Sequence, residues 1–526
     1  MSTFVQRNAS AVIGMLSGFD RLLFRGTLRR LANAAGMSSF LSHTGVLLKD
    51  FGDYSMDLTK QVKDQSLAVA EAAGRPVRYL ADPSVRKEDL TREIAARDGI
   101  DKGLVCVFTA VESCRSFEIH RNRSTKRLEL RSQNRRCLHV YHYMIHPQMG
   151  FLHARLQTWL PFTLGVCING REWLARQMDR VGLGYVRRDN CFADLADAGR
   201  AQALMDRQLK THWKQTLDGI AAAAHPAHAK LFGPRSAYPI EPYWSAQQSE
   251  WASDVMFKSP RLLADLYPRL IRQGIETMGS RDVLRFLGKR VPEGRTAHGK
   301  FTGQVLSDLK DRPEGMRLKH AVNGNSVKMY DKQGSVLRVE TTINQPGEFK
   351  VYRGTEAEPD KKQWRKLRKG VADLHRRARV SQASNTRYLE TMAAVTAPTT
   401  LGQSLAPLCH AKQKDGVRVR ALRPFDAADM KLLEVVGRGE FAVNGFRNRD
   451  VRELLFGRDD DDRDPATRRR RSGQVTRQLR LLRAHGVVRK VGKTLRYLLS
   501  EKGRTLVTLL AAAKDADTTQ LVTIAA

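Results

Sequence analysis

Hydrophobic and polar positions change their period several times within the first two hundred residues. Helical periodicity occurs at 58–73, 87–98 and 171–178. Alternating or wholly apolar runs typical of strands occur at 76–80, 104–111, 138–145, 150–159 and 161–170. Because helical and strand patterns are interleaved, residues 1–198 are predicted to form an α/β domain with a mixed sheet.

The rest of the chain divides into five further segments. The predicted boundaries are a helical segment at 199–280, a β-meander block at 281–355, a basic helix at 356–395, a linker at 396–416 and a winged-helix domain at 417–526. Tyr243, Trp244 and Trp251 in the helical segment are expected to supply core aromatics, and the linker is inferred from its Pro, Thr, Gly and Ser content. The whole is predicted to be an α+β multidomain fold.

The C-terminal segment has the clearest order of elements. Amphipathic patterns predict two helices, and a third helix begins near Ser472 and ends at His485. Two short alternating runs around Gly492 and Lys493 predict a hairpin, and a last apolar helix follows residue 500. The third helix carries apolar residues on one face and arginines on the other, as a helix in a major groove requires.

The stretch LRLLRAHGVVRKVGKTLRYLLSEKG resembles the recognition helix and wing of winged-helix regulators of the MarR and ArsR type. In such proteins the third helix enters the major groove and the wing lies on the backbone or in the minor groove. The resemblance implies that DNA is bound by Arg477, Arg480, Arg483 and Lys493. It also allows a homodimer. A winged helix that only packs on another domain or binds protein is the alternative.

Composition extends the expectation of nucleic-acid binding to the whole chain. The 90 Lys and Arg exceed the 55 Asp and Glu, which gives a formal net charge of +35, and such a field favours polyanions. The basic residues expected to contact nucleic acid outside the third helix and wing are Lys328, Arg338, Arg365, Lys366, Arg376, Arg377, Arg468, Arg469, Arg470 and Arg471. DNA is the expected partner, with RNA as the alternative.

The expected environment is the cytoplasm. No apolar run reaches the roughly 18 residues that a membrane span needs, and the first residues lack the apolar core of a signal peptide. The six cysteines show no CxxC pair, so buried, reduced thiols are expected.

One catalytic hypothesis concerns the β-meander. Lys328, Tyr330 and Lys332 share one face of a strand, and Glu340 lies on the next strand. A tyrosine flanked by lysines, with a carboxylate to hold a metal ion or transfer a proton, suits phosphodiester cleavage. The stretch NSVKMYDKQGSVLRVETTIN is similar to segments of rolling-circle replication proteins, although their paired-histidine metal motif is absent. The alternative is a non-catalytic basic sheet that follows a phosphate backbone.

A second hypothesis concerns two acids beside apolar runs. Asp20 and Glu112 each stand where a strand is predicted to end, which is how RNase H-like nucleases and transposases gather Mg²⁺ or Mn²⁺. A salt bridge from Asp20 to Arg25 explains that acid equally well. Motifs of P-loop NTPases, dinucleotide enzymes, zincins and serine hydrolases do not occur.

As a whole, the chain resembles large, basic bacterial proteins described as transposase-like or MarR-like. The leading hypothesis is a bacterial DNA-binding protein of a mobile element or replicon, which binds duplex through the winged helix and a strand or structured nucleic acid through its basic body. The alternatives are a metal-dependent nickase or transposase, and a non-catalytic regulator or RNA-binding ribonucleoprotein component.

Overall fold

The computed structural model describes residues 3–288, 304–312, 315–355, 358–396, 402, 405–414, 416–442, 444–457, 464–492 and 494–517. The described helices α1 to α15 are Thr3–Arg7, Ala34–His43, Phe51–Ala72, Lys87–Arg97, Gly170–Arg180, Ala198–Arg207, Trp213–Ala224, Pro226–Phe232, Pro260–Glu276, Ser280–Phe286, Leu374–Met392, Ala427–Gly437, Asn448–Phe456, Pro465–Ala484 and Glu501–Asp515.

Strands β1 to β19 are Val12–Thr27, Val77–Tyr79, Gly103–Arg121, Leu128–His146, Gly150–Gln157, Leu164–Asn169, Tyr185–Arg188, Cys191–Leu195, Tyr243–Phe257, Val305–Lys310, Arg317–Val322, Asn325–Lys332, Val336–Ile343, Lys350–Arg353, Gln363–Lys366, Lys412–Lys414, Val417–Val419, Val488–Lys490 and Tyr497–Leu499. Eleven of them belong to one mixed sheet, which confirms the predicted α+β class.

The chain is grouped into two compact units, and neither is continuous in sequence. The first comprises Met1–Met15, Val255–Val339 and Ala383–Ala526, and the second comprises Leu16–Asp254 and Glu340–Gln382. The boundaries fall within β1, β9, β13 and α11.

In the second unit the sheet order is β13-β9-β1-β6-β5-β4-β3-β2. The short β2 is parallel to β3, whereas β3 to β6 form an antiparallel meander that continues onto β1. The long strand β1 is central in this order, and its residues Leu22 and Phe24 are buried. A central strand held on both edges is a rigid base for polar side chains.

In the first unit β10 to β13 follow one another in the sheet, but the last strand of the predicted meander block, β14, pairs with β15 in a separate two-stranded sheet. The turn between β11 and β12 is Asn323-Gly324, and both residues have positive φ, as tight hairpin turns need. Leu318, Val327 and Met329 from these strands are buried in one core cluster with residues of α9 and α11.

The C-terminal part of the first unit contains α12, α13, α14, the β18–β19 hairpin and α15, in that order. A core of its own includes Leu432, Val475 and Leu482. Helix α14 begins at Pro465, earlier than the predicted start at Ser472, because the Asp464 side chain accepts the Ala466 and Thr467 N–H groups. The four consecutive arginines 468–471 are therefore helical.

Two segments differ from the sequence prediction. Residues 243–257 within the predicted helical segment form strand β9, and residues 363–366 within the predicted basic helix form strand β15, so that the helix begins only at Leu374. In β9 the tryptophans Trp244 and Trp251 are buried, as expected of core aromatics. The pairing of β9 inside a sheet overrides its local helical pattern.

The predictions about membrane spans and cysteines can be compared directly with the structure. Among the described residues, no helix is both long enough and apolar enough to cross a membrane. All six cysteines are free thiols, and four of them are buried.

Candidate functional site

Three carboxylates meet on neighbouring strands of the second unit. Asp20 lies on β1, Glu250 on β9 and Glu340 on β13, and one oxygen of each lies within 4.8 Å of the others. The strand order β13-β9-β1 places these side chains side by side, and the sheet fixes their spacing. We call Asp20, Glu250 and Glu340 the carboxylate triad. Asp20 and Glu340 are buried, whereas Glu250 is half-buried.

Asp20 is held in place by residues around the start of α5. The Asn190 amide donates to Asp20 Oδ1 at 2.8 Å, and Asn190 in turn accepts a hydrogen bond from Asn169 at 2.7 Å. Asn169 also caps α5 by accepting the N–H groups of Arg171 and Glu172. The Asp20 carboxylate therefore has a set position before any ligand arrives.

Arg171 supplies the positive charge beside Asp20. Its side chain is fully buried, its Nη2 donates to Asp254 at 2.8 Å, and its Nε lies 3.9 Å from Asp20 Oδ1. The predicted salt bridge of Asp20 with Arg25 is wrong, because strand alternation points these side chains to opposite faces of β1, where Arg25 lines a separate cleft.

Carboxylate oxygens from three different strands are the donors that Mg²⁺ and Mn²⁺ prefer. Three like charges this close are mutually unfavourable, and a divalent cation relieves that repulsion. The donor set thus fits the Mg²⁺ or Mn²⁺ expected from the sequence.

Glu112 is not part of the triad. It lies on β3, which β4, β5 and β6 separate from β1 in the sheet order. It accepts a hydrogen bond from the Tyr141 hydroxyl and pairs with Arg155 at 3.3 Å and Lys87 at 3.5 Å. Burial acts to raise the pKa of Glu112, but the Tyr141 hydroxyl and the cations outweigh it and lower the pKa. The predicted Asp20–Glu112 pair is therefore not formed, and Glu250 and Glu340 accompany Asp20 instead.

The structure places the residues of the tyrosine hypothesis differently from the prediction. Tyr330 and Lys332 lie on β12 in the first unit and are buried, with 8 % and 6 % of their surfaces exposed, and Lys328 is half-buried. Glu340, the carboxylate predicted to act with them, is a member of the triad in the second unit.

The second unit also contains a cleft of about 700 Å³. The aromatic rings of Tyr141 and Tyr143 line it, with His153 and Glu88. Its cationic lining consists of Arg21, Arg25, Arg86, Lys87, Arg115 and Arg155. We call it the basic cleft. Six cations in one cleft suit a polyanion, whereas the Tyr141 and Tyr143 rings are buried, with 6 % and 2 % of their surfaces exposed.

The remaining basic residues fall into exposed and buried groups. Exposed along α14 are Arg468, Arg469, Arg470, Arg477, Arg480 and Arg483. Arg471 is half-buried and lies over the Phe456 ring. Lys366 is exposed and Arg365 half-buried, whereas Arg376 pairs with Asp373 at 2.6 Å. Lys493 lies outside the described residues.

The prediction that Arg338 and Arg377 contact nucleic acid at the surface is wrong, because 1 % and 0 % of their respective surfaces are exposed. Arg377 lies on α11. Burial lowers the pKa of its guanidinium to about 10, although the negative charge of Asp373 acts in the opposite direction. Helical periodicity places such residues on a face but does not tell which face the fold covers.

Sequence reasoning missed Glu250, Asp254 and Arg171. Glu250 and Asp254 lie on β9, where Trp244, Ala246, Gln248, Glu250, Ala252 and Asp254 occur at every second position. The buried positions of β9 do not alternate, so no periodic signal marked these residues. No protein-family model, curated protein or solved structure matches this chain.

Proposed function

We propose that the chain binds nucleic acid and carries out divalent-metal-dependent phosphodiester chemistry at the carboxylate triad. The observation that carries this proposal is the meeting of Asp20, Glu250 and Glu340 within 4.8 Å on three neighbouring strands. Two of the three, Asp20 and Glu340, were singled out from the sequence for metal chemistry on separate grounds. A DNA strand-cleaving enzyme of a mobile element or replicon is the specific form of this proposal.

The charge of the molecule supports a nucleic-acid substrate. The net charge of +35 attracts polyanions over the whole chain, and the basic cleft concentrates six cations in one unit. Such surfaces bind a phosphate backbone without regard to sequence. This binding weakens steeply as the salt concentration rises, because the release of counterions from the nucleic acid then becomes less favourable.

The residues of the site divide into metal ligands and residues that orient Asp20. Asp20, Glu250 and Glu340 would hold the metal ion, which when bound neutralises charge on phosphate oxygens and activates water. Asn190 and Arg171 orient Asp20 and keep its carboxylate facing the other two. Glu250 is the least buried of the triad and is the member nearest to solvent.

The test is incubation of the purified chain with end-labelled single-stranded and duplex DNA and Mg²⁺ or Mn²⁺, followed by a denaturing gel. We expect cleavage that is lost in Asp20→Asn and Glu340→Gln, with binding retained. The matched control is Glu112→Gln, which changes an equally ion-paired carboxylate outside the triad and should leave cleavage intact. Calorimetric Mn²⁺ binding should disappear in the two triad variants alone.

The same gel separates the two catalytic hypotheses. A covalent protein–DNA adduct that is lost in Tyr330→Phe would assign the chemistry to the tyrosine and overturn the triad. Binding without cleavage under all metals and substrates, together with no Mn²⁺ binding, would leave the triad a structural cluster.

A second candidate function is binding of duplex DNA by the C-terminal helices as a regulator. The order α12, α13, α14, β18–β19 hairpin and α15 supports it, together with the exposed Arg477, Arg480 and Arg483 on α14. A specific footprint that is lost when these three arginines are replaced, without cleavage, would favour the regulator. A preference for structured RNA over duplex DNA would instead favour a ribonucleoprotein component.

A further inference from the structure

A second cluster of metal-ligating side chains borders the basic cleft. Glu88 lies on α4, His153 on β5 and Cys167 on β6, and one donor atom of each lies within 4.8 Å of the others. His153 and Cys167 are directly opposite each other in the β5–β6 register. Opposed strand residues have Cβ atoms about 5 Å apart, so the sheet itself sets the distance between these two ligands.

We propose that Glu88, His153 and Cys167 bind Zn²⁺, with a fourth position open to the basic cleft. An imidazole, a thiolate and a carboxylate together suit zinc, whereas Mg²⁺ and Ca²⁺ select oxygen alone. Ligand atoms around tetrahedral zinc lie about 3.3 to 3.7 Å apart, so small rotations of the three side chains close the shell. Three protein ligands and one open position are the arrangement of zinc sites that bind water or substrate.

The electrostatic surroundings favour the neutral imidazole. Burial lowers the pKa of His153 to about 3, and the neighbouring cations Arg21, Arg155 and Lys87 act in the same direction. A neutral imidazole is the form that binds metal. Its orientation is supported by the Tyr143 ring, whose centroid is 4.8 Å away.

Burial raises the pKa of the Cys167 thiol. A cysteine binds zinc as the thiolate.

Arg21 competes with zinc for the same ligands. Its Nε donates to Cys167 Sγ at 3.4 Å, and its Nη2 lies 3.3 Å from Glu88 Oε1. The Arg21 side chain is 46 % exposed and lines the cleft, so it can turn toward solvent without burying its charge. A fourth position that faces a cationic cleft suits an anion, either hydroxide or a phosphate oxygen.

The experiment is titration of the chelator-treated full chain with Co²⁺, a spectroscopic substitute for zinc, followed by competition with Zn²⁺. We expect a thiolate-to-cobalt charge-transfer band that corresponds to one Co²⁺ bound at Cys167 and that Zn²⁺ abolishes. The band should be absent in Cys167→Ser and present in Cys191→Ser, a matched control that changes another buried thiol of the same unit.

A second variant keeps the proposal testable if Cys167→Ser does not fold. Removing the competing charge in Arg21→Met should raise zinc affinity at least tenfold, whereas Arg86→Met, which changes a cleft arginine paired with Asp89, should leave it within twofold. Absence of the band in both the unaltered chain and Arg21→Met would overturn the site and leave an arginine-binding cluster. The triad contains no thiol and cannot give this band, so the two proposals succeed or fail separately.

Discussion

The buried Arg171–Asp254 ion pair should account for a large share of the stability of the second unit. Both side chains are inaccessible to solvent, with Nη2 and Oδ2 at 2.8 Å, and Arg171 also faces Asp20. Removing one partner of a buried pair costs about 3–5 kcal/mol, because the remaining charge stays in a low-dielectric interior. We therefore expect Arg171→Met to lower the free energy of unfolding by about that amount, out of a typical total of about 5–15 kcal/mol.

Urea unfolding followed by tryptophan fluorescence measures this change in the relevant unit. All six tryptophans of the sequence lie in the segments 16–254 and 340–382, which form the unit that contains Arg171. The control is Lys60→Met, which removes an exposed helix pair of 2.7 Å and should leave the free energy of unfolding nearly unchanged.

A double variant tests the cause. If the cost comes from a stranded charge, then Arg171→Met combined with Asp254→Leu should recover at least half of the lost free energy, because an apolar pair needs no counter-charge. A loss below about 1 kcal/mol in Arg171→Met, or a double variant less stable than the single one, would refute this reasoning.

Two further predictions concern the first unit. Burial raises the pKa of Asp282 from 3.8 to about 6, against the opposing Gly279 N–H, so the folded state holds a proton that the unfolded state releases near pH 4. The bound proton stabilises the folded state fully below about pH 4, and this stabilisation is lost as the pH rises to 6. The free energy of unfolding of Asp282→Asn, relative to that of the unaltered chain, should therefore rise by about 2 kcal/mol between about pH 4.5 and 7.5. Equal differences in urea unfolding at the two pH values would contradict the assignment. Gly445 has φ +64°, and an added Cβ would collide with the Tyr497 carbonyl, so Gly445→Ala should cost about 1–3 kcal/mol in thermal unfolding followed by circular dichroism and weaken duplex binding. Gly486→Ala, where φ is +73° and nothing lies within 4 Å of the added Cβ, is the matched control, and equal effects of the two changes would exclude the collision as the cause.

Local patterns in the sequence were sufficient where an element is stabilised by its own periodicity. Strands β12 and β13 were predicted at their observed positions because their polar and apolar residues alternate, and Asn323-Gly324 supports the turn before β12. The thiols and several helices were predicted on the same local grounds.

Long-range pairing was the part that sequence periodicity could not supply. The segment of β9 has enough helix-compatible residues to appear helical, and only its place between β1 and β13 makes it a strand. Glu250 was missed for that reason. Asp20 was singled out at the expected end of a strand, although β1 continues to Thr27, and Glu340 was singled out within the β-meander. Their approach depends on strand order, which no local pattern records.

The burial of charged residues could not be predicted from the sequence either. Arg377 belongs to a run of arginines on α11 that resembles a solvated face, yet its guanidinium is fully buried while Arg379 is exposed. Sequence shows the spacing of such residues on a helix, and the packing partners decide which side is covered.

The discontinuous make-up of the two units has a consequence for synthesis of the chain. The last triad residue, Glu340, is made some 320 residues after Asp20, which corresponds to roughly 20–60 s at common rates of translation. During that interval β9 has no β13 beside it, and an unpaired strand edge invites association with other chains. Because the segments of the two units alternate along the chain, no contiguous stretch of it holds one unit without part of the other.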